Sequence, residues 1–157
     1  MLIKILSNLF GRKKALNRDR LDIGIDKMLQ TIDLFKKGNF SYIVNIKKDN
    51  EILIQLIHGG INKYIHTNSK DFNYSISLNF YEENERFQSF EKLSLSKEFI
   101  YYEYQKIPSY ILNCKNDKIK TKKYLIEIIL KVYECNVSDY FEFEIHQEAP
   151  IERIVPS

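Results

Sequence analysis

Three side chains near the end of the 157-residue chain combine reactive types with a regular spacing. Glu142, Glu144 and His146 recur at every second position of "YFEFEIH", and alternate residues of a strand share one face. Two carboxylates and an imidazole so placed could converge on a divalent metal or serve as an acid–base group. A metal would need further ligands, and His58 and His66 are the remaining histidines. The plainer alternative is a solvated strand face whose charges discourage edge pairing. That alternative is favoured, because no GxSxG, glycine-rich phosphate loop or HExxH accompanies the row. His58-Gly59-Gly60 reads as a turn and not as an oxyanion element. The expectation is a non-enzyme without cofactor or metal. A small hydrolase or metal-dependent enzyme on the Glu142/Glu144/His146 face is the alternative. With both glutamates in water, replacing them should change stability little.

A second cluster is denser. Lys115, Lys118, Lys120, Lys122 and Lys123 crowd the start of a helical pattern. Cations at a helix start oppose the macrodipole, at a cost of a few tenths to ~1 kcal/mol. Such a placement can mark a surface for an acidic partner, against the plainer reading of a solvated face. No arginine and no aromatic platform lies within the run, which argues against nucleic acid. These five lysines are the candidate partner-binding residues. The expected partner is another protein of acidic character, with a homodimer left open.

Charge is uneven along the chain. The net charge is +3, yet residues 1–20 hold Lys4, Arg12, Lys13, Lys14, Arg18 and Arg20 against Asp19 alone. The opening "MLIKILSNLF" places Leu2, Ile5, Leu6 and Leu9 at helical spacing before Gly11 and a basic run. It lacks the charge order and cleavage site of a signal peptide. A membrane contact through residues 1–14 is the weaker reading, because so short a helix buries little area. No run approaches the ~18 apolar residues of a membrane span, and the expected compartment is the cytoplasm. Cys114 and Cys135 form no CxxC pair and read as reduced core residues.

These residues need a scaffold. Apolar residues make up 44% of the chain, with 11 Tyr and 10 Phe but no Trp, a composition that supports a core and leans towards sheet. Ile25, Met28, Leu29, Ile32 and Phe35 predict a helix over residues 22–37, with Asp22 as N-cap and Gly38 just beyond its end. "FSYIVNIK" and "EILIQLI" predict a hairpin turning at "KDNE", its second strand central because both faces are apolar. "INKYIHT" predicts a short strand and "FNYSISLNF" a clear one. "FIYYEYQKI" predicts one more, ended by Pro108, with residues 109–117 as a connection and a short helix at most within 82–98. Leu125, Ile128, Ile129, Val132 and Tyr133 give a helix over residues 118–134 a broad apolar face. "YFEFEI" then closes the sheet. Strands and helices without a βαβ repeat imply an α+β fold, a mainly antiparallel sheet of about five strands with helices covering one face. The domain is expected at 21–148. A basic N-terminal segment, 1–20, should be removable without unfolding it, and 149–157 should be a tail.

The layout resembles the type III secretion chaperone-like fold, including the TY-Chap group of bacterial peptide chaperones. The shared pattern is a leading helix at "IDKMLQTIDLF", the hairpin "FSYIVNIKKDNEILIQLI", a strand "YSISLNFY" and the late helix "KYLIEIILKVYEC" followed by a strand. Small bacterial α+β proteins of this size also look like immunity proteins of toxin systems. Both resemblances imply binding of another polypeptide without catalysis, and neither assigns a residue.

Overall fold

The structure is a computed structural model that describes residues 4–7, 13–58, 71–81 and 85–150. Eight strands and three α-helices are present among the described residues: β1 (Lys4–Ser7), β2 (Lys13–Arg20), α1 (Leu21–Lys37), β3 (Phe40–Lys48), β4 (Glu51–Ile57), β5 (Ser75–Asn79), α2 (Glu85–Lys92), β6 (Ile100–Tyr104), β7 (Ile107–Asn113), α3 (Lys118–Lys131) and β8 (Tyr140–Pro150). A 3₁₀ turn, Ser94–Glu98, follows α2. The strands form one sheet in the order β1-β2-β8-β3-β4-β5-β7-β6, and every paired neighbour is antiparallel. The fold is therefore α+β, as the sequence predicts. The strand count exceeds the expected five, even when the four-residue β1 is set aside.

Three differences from expectation have physical causes. Residues 13–20, expected to lie outside the domain, form β2 within the sheet. Its inward row is Ala15, Asn17 and Asp19, all buried; only one of the three is apolar, so the alternation reads as a charged tail. Lys4–Ser7 is likewise strand and not helix, and the rest of the expected helix at 2–10 lies outside the described residues. Second, "FIYYEYQKI" is not one strand. Gln105 and Lys106 adopt φ of 50° and 65°, the left-handed pair of a type I′ hairpin turn, and Pro108 sits inside β7. No Asn or Gly announces that turn. Third, β8 does not close the sheet. It inserts between β2 and β3, so β2–α1–β3 spans a strand supplied by the far end of the chain. It also runs to Pro150, two residues beyond the expected domain end.

The helices cover one face. Leu21, Ile25, Met28, Leu29, Ile32 and Phe35 of α1 are buried with Phe141, Phe143 and Ile145 of β8, and with Tyr42, Val44 and Ile46 of β3. Gly24 is required by close approach: a Cβ there would sit 2.1 Å from the Phe143 ring. Leu125, Ile128 and Ile129 of α3 join the same core. An aromatic group, Phe80, Phe90, Phe99 and Tyr110, extends it towards β7, with ring centroids 4.8–5.7 Å apart for the three Phe90 contacts. Asp22 is not the N-cap of α1; Arg20 holds that position without a side-chain bond. Gly38 has φ −83°, and the left-handed residue ending the helix is Asn39, at φ 62°. The hairpin turn at Asp49 and Asn50 is as expected, with φ of 50° and 65°. The strand predicted at 61–67, the 59–60 turn and residues 151–157 lie outside the described residues.

Candidate docking surfaces

The five lysines at the start of α3 lie where the sequence places them, but three are engaged. Asp117 caps the helix, its Oδ1 accepting from the Lys120 N–H at 2.9 Å. Lys118 pairs with Asp33 of α1. Lys122 bridges Asp22 and Asp26 of α1 at 2.8 Å each. Lys120 reaches Glu98 of the 3₁₀ turn at 2.7 Å and lies 5.3 Å from the Tyr124 ring centroid. The hydrogen bond from Lys120, and then that from the Tyr124 hydroxyl, hold the Glu98 carboxyl below its ordinary range. The cations that oppose the α3 dipole thus face carboxylates on neighbouring elements. They tie the first turns of α3 to α1 and to the 3₁₀ turn. Lys115 and Lys123 are exposed and form no ion pair among the described residues.

The Glu142/Glu144/His146 row is only half solvated, because β8 is central. Strand β2 lies on one side and β3 on the other, with Glu144 opposite Leu16 and Asn45. Its side chain is 17% exposed and lies 3.4 Å from both Lys14 and Lys47. His146 Nε2 lies 2.9 Å from its Oε1. Burial raises the Glu144 pKa, but the His146 hydrogen bond and the two lysine charges outweigh it and bring it down to about 2. The expectation that both glutamates stand in water is thereby corrected for Glu144. A carboxyl so acidic stays ionised and suits ion pairing more than proton donation. Among the described residues no group of three His, Cys, Asp or Glu side chains could hold a metal. His58, the other described candidate, is fully buried with its ring near Phe72, its Nε2 donating to the Asp71 carbonyl at 3.1 Å. His66 lies outside the described residues.

The sequence reading missed a third arrangement. Along β2, Lys14, Leu16, Arg18 and Arg20 face away from the helices, opposite His146, Glu144, Glu142 and Tyr140 of β8. The guanidinium carbons of Arg18 and Arg20 lie 5.6 Å and 5.9 Å from the Tyr140 ring centroid, within cation–π range. Tyr140 is 50% exposed and Leu16 40%, and both arginines are exposed. Neither arginine forms an ion pair among the described residues. The inner row of the same strand is anchored instead: Asp19 accepts from Lys27 Nζ at 2.7 Å and from the Arg20 N–H at 3.0 Å. The available signal was the i, i+2 spacing of Arg18 and Arg20 once residues 13–20 are read as a strand.

Comparisons with protein-family models, with curated proteins and with solved structures return no match. Among the described residues no helix is long and apolar enough to cross a membrane. Both cysteines are buried free thiols, and burial pushes the Cys114 thiol up to about 11, which suits an unreactive core position.

Proposed function

We propose that this chain is a non-catalytic cytoplasmic protein-binding module of bacterial type, acting as a peptide chaperone or as an immunity protein against a toxin. The observation that carries the reading is the Arg18–Tyr140–Arg20 group on the sheet face away from the helices. Arginine and tyrosine dominate the energetics of protein interfaces. Two guanidinium groups beside one ring, without an ion pair among the described residues although Glu142 lies across from Arg18, are placed to take carboxylates from a partner in bidentate fashion. Leu16 adds an apolar contact beside them. An acidic polypeptide is the partner this chemistry fits. Of the lysine set, Lys115 and Lys123 form no ion pair among the described residues, whereas Lys118, Lys120 and Lys122 already have carboxylates. The hydrolase alternative on Glu142, Glu144 and His146 is less well supported, because Glu144 is committed to Lys14, Lys47 and His146.

The test is capture from a nuclease-treated lysate of the native host, at low and high salt, with the parent and with Arg18→Glu combined with Arg20→Glu. The expected result is an acidic protein held by the parent, released as salt rises and absent from the variant. Equal capture by both at both salt concentrations contradicts the reading.

A further inference from the structure

We propose that β6 is a self-pairing edge through which two copies of this chain join their sheets. The strand ends the sheet order, and among the described residues no strand pairs with its outer side. Its five residues, Ile100-Tyr101-Tyr102-Glu103-Tyr104, include Ile100 at 50% exposure and Tyr101 and Tyr104 at 52% each. Edge strands are ordinarily blunted by shortness, by charged side chains (lysine above all), by proline or by a bulge, and of these β6 has its five-residue length and the single charge of Glu103. β6 has no lysine or proline, and its pairing with β7 runs from Ile100–Ile111 to Tyr104–Ile107 without a register shift. Aromatic and β-branched side chains are also those that contribute most across a strand pair.

The occupant follows from symmetry. Two identical strands pair antiparallel about a two-fold axis perpendicular to the sheet. That axis keeps the helices of both copies on one side and opposes residues of the same face. With the axis at Tyr102, all five residues are paired. Ile100 then faces Tyr104 twice on the face away from the helices, and Tyr101 faces Glu103 twice on the helix side, where the Tyr101 ring already lies 5.3 Å from Tyr110. No like charges meet. Moving the axis to Glu103 opposes the two glutamates, which is destabilising, and moving it to Tyr101 leaves Tyr104 unpaired and removes Tyr101 from its glutamate. The strand is therefore self-complementary in one register, as an isologous interface requires. Five residues per copy make a small contact, so the dimer is concentration-dependent. This surface is independent of the arginine face, and one can fail without the other.

The experiment is sedimentation equilibrium of the full chain over a concentration series, with two double variants. The parent is expected to show a reversible monomer–dimer equilibrium. Ile100→Lys with Tyr104→Lys opposes lysines twice and should raise the dissociation constant roughly tenfold or more. Ile100→Lys with Tyr104→Glu opposes unlike charges in the same register and should return it towards the parent value. Hydrogen exchange of the parent supplies a reading that needs no variant: amides of residues 100–104 should gain protection as concentration rises. A parent that stays monomeric, a dimer indifferent to the paired lysines, or concentration-independent exchange in β6 overturns the proposal.

Discussion

The lysine row of α3 and the arginine pair of β2 are both cationic clusters, and their surroundings are opposite. Lys118, Lys120 and Lys122 each meet a carboxylate from another element, while Arg18 and Arg20 share a tyrosine ring and meet none among the described residues. The denser cluster in sequence is thus the more occupied in space. Charge density along a chain measures what must be compensated. Availability to a partner depends on whether the fold supplies the compensation, and α1 supplies it to α3 through Asp22, Asp26 and Asp33.

The largest effect should come from removing one side of this comparison. Deleting residues 1–20 takes away β2, leaves one edge of β8 unpaired and strips Ala15, Asn17 and Asp19 from beside Ile145, Phe143 and Phe141. The expected outcome is loss of cooperative unfolding, or a drop of at least ~3 kcal/mol, read from urea denaturation of the truncated chain. A truncated chain with the parent's midpoint would return residues 13–20 to the status of a tail, and the arginine pair with them.

The helix layer and the apolar strands were legible because their periods are strong. Ile25 to Phe35 and Leu125 to Ile129 mark amphipathic helices, and β3, β4 and β5 alternate or run apolar. What was not legible depends on long-range pairing. Nothing local says that β8 enters between β2 and β3, or that the inner row of a strand could be Ala15, Asn17 and Asp19. The lysines' carboxylates are 85 to 96 residues away for Asp33 and Asp26, beyond any pattern of neighbouring spacing. The lysine residues themselves were found, and their pairing was not. The Arg18–Tyr140 group needs both the strand assignment of β2 and its register with β8.

Glu144 sharpens the comparison from the anionic side, since it lies on the same sheet face as the arginines yet is occupied by Lys14, Lys47 and His146. Its pKa is lowered from 4.5 to about 2. The sign follows: its contribution is fully present above pH 4.5 and is lost as pH falls towards 2. Glu144→Gln should lower stability by about 1–3 kcal/mol at neutral pH and flatten that acid limb. Denaturant midpoints measured across the acid range give the answer. An unchanged limb would mean that Glu144 stands as free as the arginines of β2.

A smaller effect is expected beneath the arginine strand. Both polar atoms of the Asn17 side chain are buried without a hydrogen-bond partner among the described residues, beside Phe143 in the register. Replacing such a group by an apolar one of similar shape is neutral to stabilising, so Asn17→Leu should change stability by between zero and about +1 kcal/mol. Clear destabilisation in thermal melts would show that the side chain is used, and that the inner row of β2 is more than a passive support.

The central claim is that the lysine row serves the fold while the arginine pair does not. Urea denaturation of two double variants under one set of conditions tests it most directly. Lys118→Glu with Lys122→Glu sets carboxylates against Asp33, Asp22 and Asp26 and should cost about 1–2 kcal/mol. Arg18→Glu with Arg20→Glu should stay within about 0.5 kcal/mol, because a new anion facing Glu142 is offset by another at the N-cap of α1, where the helix dipole favours it. The opposite ranking, with the arginine variant the less stable, would contradict the account.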